Sequence, residues 1–460
     1  MWLQAFFRGK LSSYLFCRKD GESKTMEVSI EDSKASSGVQ SESGLSWTDA
    51  PDLQLFVFAL FFLFGGVTSL NDVIIPKLKE LFTLSYGEAM LVQSAFFTAY
   101  FVISIPAALV VRRIGYIRTA STGLLTMMTG CLFFIPASAL GSFPAFLCAL
   151  FALAAGVTTI QVVANPLISM LGPPHSASSR LTFAQAFNSV GTTLFPYVGA
   201  LVILGSLSKI DPKTLRGAAL TVFRIQETRV VMLTYVGLAL ALAVAAAAIW
   251  TQRNRLKETP AAPTGLFGGL DMLQRPRFGW GALCIFLYVG AEVAIGSLIV
   301  SYLEQASVLA LPAKVAGEHV PLYWSGALAG RFIGAYVLNS LSPGRVLAAA
   351  AAAAAVLLIL SANSHGVISA YALLSIGLFN SIMFPTIFTL ASEGLGARRA
   401  QGSGIICMAI VGGAVIPPLT GHFADISGLK AALAIPGLCY GVIAAYGLYA
   451  HANIRKISVT

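Results

Sequence analysis

Three charged residues stand where a chain this apolar should carry none. Asp72 interrupts a run that is free of charge from Leu53 through Asn71, Glu292 lies inside "LYVGAEVAIGS", and Arg331 lies inside "GRFIGA". Insertion scales put an ionised side chain at the bilayer centre at about 2.5–3.5 kcal/mol, so such residues mark ligand pathways, proton relays or buried pairs. Six amides accompany them in apolar runs: Gln93, Gln161, Asn165, Gln185, Asn188 and Asn380. Carboxylates accept hydroxyl protons and amides both donate and accept, so the set suits a polyhydroxylated ligand with aromatic faces against its C–H surfaces. The chemistry on offer is hydroxyl recognition and proton exchange.

Each residue has a plainer reading beside this one. Asp72 shares a helical face with Thr68, Ser69 and Gly65, while Phe62, Leu63, Val67 and Leu70 occupy the other. That stripe points inward, yet Asp72 also lies close to the end of its run, where an interfacial aspartate would cost little. Glu292 is harder to dismiss. It falls mid-run, with Tyr288 and Gly296 one turn away on the same face. Arg331 could form a structural pair with a carboxylate, although buried pairs often add little net stability. A single amide can be interhelical glue; six with two carboxylates exceed that need.

The elements that must position these residues follow from composition. The chain has 460 residues, 56% of them hydrophobic and 11% charged, with a mean hydropathy of +0.78. Soluble chains carry roughly 25% charged residues, so this is an integral membrane protein of the all-α class. Runs of about 20 apolar residues suffice to cross the hydrocarbon. Twelve are expected, at 53–75, 88–111, 118–139, 143–170, 181–204, 228–251, 278–302, 317–340, 345–362, 366–392, 401–421 and 430–450. The charged, Pro-containing stretch 252–277 divides them into bundles at 53–251 and 278–450. Residues 1–52 read as a disordered cytoplasmic tail, with Met26 a second candidate start, and 451–460 as a short cytoplasmic tail.

Orientation rests on Lys and Arg. With a cytoplasmic N-terminus, twenty of the thirty fall inside and nine outside, with Arg331 within a span. Both termini are then cytoplasmic. The net charge of +10 belongs to these short loops, and no phosphate-cradling or basic-aromatic motif points to nucleic acid. The six cysteines show no paired spacing and read as small buried hydrophobes. All five histidines lie in loops or near span ends, and no HExxH, GxSxG or interfacial acidic pair appears. Neither a metal, a cofactor nor catalysis is expected.

The halves echo each other. Gln161 precedes Pro166 by five residues in span four, as Asn380 precedes Pro385 in span ten; Gly191 and Pro196 in span five match Gly412 and Pro417 in span eleven. Corresponding matches in corresponding spans indicate an internal repeat, a usual build of secondary transporters.

The stretches "SLND", "QSAFFTAYF", "ANPLISMLGP", "LTFAQAFNSVG", "YVGAE", "FPTIF" and "GSGIICMAIVGGAVIPP" together resemble the fucose permease family of the major facilitator superfamily, from about residue 53 to 450. The resemblance implies twelve helices in two bundles, a sugar site between them and proton-coupled alternating access. It implies proton coupling at Asp72 and sugar contacts at Gln185 and Asn188. Departures from the fucose-specific pattern fall at Ser69, Gln161, Glu292 and Phe384, where that branch has asparagine, glutamate, glutamine and tyrosine. "YVGAE" with "FNSIMFPTIF" is instead similar to the glucose/galactose branch.

The expectation is therefore a monomeric hexose symporter of the bacterial inner membrane, with a proton favoured over sodium. Asp72 and Glu292 are assigned to proton coupling. Ser69, Gln93, Gln161, Asn165, Gln185, Asn188, Tyr288, Glu292, Asn380 and Phe384 are assigned to the sugar, and Arg331 to structural charge. Permeases for N-acetylglucosamine, mannose or fucose are the alternatives. A polytopic enzyme acting on lipid-linked sugars would need large acidic loops that are absent here, and a non-transporting sensor would bind without accumulating.

Overall fold

The computed structural model describes residues 50–84, 86–199, 217–256, 265 and 268–457. Twelve helical segments follow one another: α1 (Pro51–Leu81), α2 (Tyr86–Ile114), α3 (Tyr116–Leu132, continued by Phe134–Leu140), α4 (Phe143–Met170), α5 (Ala177–Gly199) and α6 (Gly217–Thr251). The second half has α7 (Pro276–Leu303), α8 (Val320–Ser340), α9 (Pro343–Asn363), α10 (Gly366–Asn380, resumed as Met383–Ser392), α11 (Arg399–Met408, resumed as Gly412–Ser427) and α12 (Leu429–Ala432, resumed as Ala434–Ile457). Ten segments among the described residues are long and apolar enough to cross a membrane. The two that fall short are α5 and α8. They are the helices that carry Gln185, Asn188 and Arg331, and their polarity is the reason.

Several expected boundaries move. α1 runs on to Leu81, α6 begins at Gly217 inside what reads as an outer loop, and α12 continues to Ile457. Lys77, read as a loop lysine, is instead fully buried in α1 and lies 2.8 Å from Glu227 of α6. Burying an ammonium is tolerable only with such a partner. The apolar face of α1 does not look at lipid either: Val67 and Leu70 are buried in the core. Exposed apolar side chains on the outside of the bundle include Leu55 near the start of α1, Leu240 and Val244 of α6, and Val356 and Ile359 of α9. Of the cysteines, Cys131, Cys284, Cys407 and Cys439 are buried as expected; Cys148 is exposed, and Cys17 lies outside the described residues.

The internal repeat is visible in the packing. Within the first half α1 packs on α5, α2 on α4 and α3 on α6; in the second α7 packs on α11, α8 on α10 and α9 on α12. The repeated glycines explain one of these pairs. A methyl group at Gly191 would stand 2.2 Å from the Phe62 carbonyl oxygen, and one at Gly412 would stand 2.0 Å from that of Phe286. Both helices therefore touch backbone to backbone, at matching places in each half. Gly191→Ala and Gly412→Ala should each cost about 1–3 kcal/mol or more by overpacking. Thermal unfolding of the purified variants in detergent should show a lowered midpoint; unchanged midpoints in both would refute the close approach.

The halves meet most tightly at the end that carries the central linker. Ser179 donates to the Ala335 carbonyl at 2.6 Å, the Ser178 and Thr389 hydroxyls are 2.6 Å apart, and Ser403 donates to the Val162 carbonyl at 2.8 Å. Outside the spans, Arg398 binds Asp271 of the linker through both carboxylate oxygens. Those hydrogen bonds hold the Asp271 carboxyl below its ordinary value, so it is ionised at any physiological pH.

Candidate functional site

Proline breaks α10 where the polar residues gather. Pro385 has no N–H and its ring crowds the carbonyl four residues back, so the helix stops at Asn380 and restarts at Met383. Tyr288 of α7, itself buried, donates its hydroxyl proton to the Asn380 carbonyl at 3.1 Å. The Asn380 amide nitrogen donates to the Tyr323 hydroxyl of α8 at 2.7 Å. Glu292, one turn beyond Tyr288, lies within hydrogen-bonding reach of that tyrosine and is only half-buried. Carboxylate, amide and two phenols thus converge.

Arg331 joins this group to the other half. Its Nη1 donates to the Gln185 carbonyl at 2.9 Å and to the Ser189 hydroxyl, and reaches Asn188 Oδ1 at 3.5 Å. Its field also acts on Glu292. Among the described residues, however, Glu292 and Arg331 form no ion pair within 4.0 Å. The guanidinium spans the interface instead of neutralising the acid by contact. Asn188 also donates to the Phe61 carbonyl at 3.3 Å and lies against Gly65, where a methyl would come within 2.3 Å of its nitrogen. Gly65 of α1 thus meets α5, as does Phe62 through Phe195.

The remaining candidates separate. Gln161 of α4 donates to the Tyr100 hydroxyl of α2 at 2.7 Å and keeps partial exposure. Asn165 is fully buried beside Cys407 of α11, in the seam that Ser403 closes. It does not reach the Glu292 group. Ser69 turns its hydroxyl to the Gly66 carbonyl of its own helix at 2.9 Å. Phe384 is half-buried against Phe388, their ring centroids 6.2 Å apart, and Gln93 is half-buried on α2. The backbone of Asp72 belongs to α1; its side chain lies outside the described residues. Sequence reasoning missed Tyr100, Tyr323 and Ser189. The tyrosines stand on repeat-related helices, so a search for partners of the amide–proline pairs in spans two and eight would have found them.

What this arrangement can do is bind. It has hydroxyl-complementary groups from both halves, buried phenols, and among the described residues no cluster able to hold a metal ion. Comparison with known proteins points the same way. A "Glucose/galactose transporter" of Brucella abortus is 44% identical over 391 residues, covering 85% of this chain and 92% of that protein. The "L-fucose-proton symporter" of Escherichia coli is 32% identical over 402 residues, covering 84% and 90%. The crystal structure of the Escherichia coli fucose symporter in its outward conformation superposes with a TM-score of 0.78 at 30% identity, over 86% of this chain and 98% of that one. The family model described as "Major Facilitator Superfamily" matches residues 57–417. With the paired helix packing of its two halves and a polar site shared between them, this chain is a transporter rather than an enzyme and belongs to the major facilitator superfamily.

Proposed function

We propose that this protein carries a glucose- or galactose-like hexose together with a proton across the bacterial inner membrane. One observation carries most weight: polar groups of both halves gather in one region, where Tyr288 and Tyr323 hold Asn380 of the second half and Arg331 of the second half donates to the Gln185 carbonyl and reaches Asn188 of the first. A ligand bound among such groups touches both halves, so its binding can bias how they sit relative to one another. Similarity to a glucose/galactose transporter and a fucose–proton symporter supports the sugar and the proton. The bundles 53–251 and 278–450 would rock about the site, with 252–277 as the cytoplasmic connection and both termini cytoplasmic. On this reading the contacts at the linker end close the cytoplasmic side.

The test is uptake of radiolabelled D-glucose and D-galactose in a strain lacking its own hexose transport, with a competitor panel and an uncoupler. Saturable uptake, abolished by the uncoupler and competed by one of these hexoses, is expected. Accumulation driven by a sodium gradient alone would remove the proton. Binding without accumulation in liposomes would make the protein a sensor. Asn188→Ala, and Gln185→Ala beside it, should raise the apparent KM several-fold at normal expression, since a hydrogen bond to a neutral partner contributes about 0.5–1.5 kcal/mol. Unchanged KM at both positions would exclude α5 from the sugar site.

A further inference from the structure

The two amides that precede the repeated prolines are held in the same way. Asn380 of α10 gives its nitrogen to the Tyr323 hydroxyl of α8, and Gln161 of α4 gives its nitrogen to the Tyr100 hydroxyl of α2, each at 2.7 Å. Donor and acceptor have the same polarity in both halves, on repeat-related helices. An amide is planar, with two donors on one side and an acceptor with two lone pairs on the other. Fixing its nitrogen therefore fixes the direction of its oxygen.

In the second half that oxygen is conspicuous. Asn380 Oδ1 is buried, and its neighbouring donor, the Tyr440 hydroxyl, stands beside the amide within reach of it and has no other partner. A buried acceptor left without a donor is costly. Here it belongs to a residue anchored twice, by Tyr288 at its main chain and Tyr323 at its side chain, next to Glu292. Gln161 has partial exposure, so its own oxygen is not confined by burial.

We propose that Tyr323 and Tyr100 are positioning residues for the transported sugar: each takes an amide N–H and so presents the amide oxygen of Asn380 or Gln161 as an acceptor to a ligand hydroxyl. The tyrosines need not touch the sugar. They restrict the amides to one of two orientations, and a site that holds an acceptor in a fixed place discriminates between sugars differing in one hydroxyl. The inference rests on the sugar-transport reading.

Kinetics of D-glucose and D-galactose uptake in Tyr323→Phe and Tyr100→Phe proteins test it. Phenylalanine keeps the ring packing and removes only the oxygen that holds the amide. The apparent KM should rise several-fold, the preference between the two sugars should narrow, and Vmax per folded transporter should stay near wild type. In an Asn380→Ala background Tyr323→Phe should add nothing further to KM, and likewise Tyr100→Phe in Gln161→Ala. Tyr100→Phe carries the test if Tyr323→Phe does not reach the membrane. Unchanged KM and preference in both variants, or effects that add independently to those of the amide substitutions, overturn the proposal while leaving transport standing. Wild-type protein that takes up neither sugar overturns the transport reading, and this inference with it.

Discussion

Asp72→Asn protein should fail to accumulate sugar against a gradient, its internal concentration rising only to the external one, while exchange of labelled for unlabelled sugar persists. The residue continues a face of α1 that carries Gly65, Thr68 and Ser69, and Gly65 lies directly against Asn188 of α5. The substitution tests whether this register of α1 serves the proposed sugar path. Asparagine has the same size and still hydrogen-bonds, but it has no exchangeable acid proton. Binding and the rocking of the halves can survive; the coupling of sugar to a proton gradient cannot. The measurement is the steady-state accumulation ratio in energised vesicles, paired with counterflow in de-energised ones. Concentrative uptake by the variant would reduce Asp72 to an interfacial residue.

Glu292→Gln should produce a stable protein with strongly weakened hexose binding. The fold has little to lose, because Glu292 and Arg331 form no ion pair within 4.0 Å and Arg331 is held by α5 instead. Glutamine fills the same volume and can still bond to Tyr288. What disappears is a charged acceptor able to take two neighbouring sugar hydroxyls. A hydrogen bond to a charged group contributes about 1.5–3 kcal/mol, which corresponds to roughly ten- to more than hundred-fold in affinity. Calorimetric titration of the purified variant with D-glucose, D-galactose and a 6-deoxy sugar measures it, and a relative gain for the 6-deoxy sugar is expected. Wild-type affinity and selectivity would end the sugar role. A variant that misfolds and is rescued by substituting Arg331 would make the residue a structural charge.

The membrane architecture could be read from one dimension because hydropathy is a local property. Runs of apolar residues, a charged break near 252–277 and repeated Gly–Pro and amide–Pro spacings all survive projection onto the chain. The same projection loses whatever depends on which helix lies opposite. Lys77 reads as a loop residue because its partner, Glu227, is 150 positions away. Tyr100 and Tyr323 look like ordinary span residues until the amides 61 and 57 positions further along fold back on them. Asn165 shows the converse. Its type and span suit a sugar site, yet its neighbours are Cys407 and the closed seam. Arg331 was legible as a buried charge but not as a link across the two halves.

The chemistry of the closed end has an energetic consequence. Three hydrogen bonds between the halves there are uncharged: Ser179 and Ser403 each meet a carbonyl, and Ser178 meets Thr389. Bonds of that kind contribute about 0.5–1.5 kcal/mol each, because water takes over when they part. The three together amount to a few kcal/mol, the same order as the differential affinity by which a ligand can invert a two-state population, which is about 5.5 kcal/mol for a swing from 1:99 to 99:1. A seam of buried ion pairs would leave unpaired charges on opening and hold the protein in one state. Hydroxyl hydrogen bonds leave no unpaired charge when they part, so they would let an occupant of the proposed central site shift the balance between the two ends.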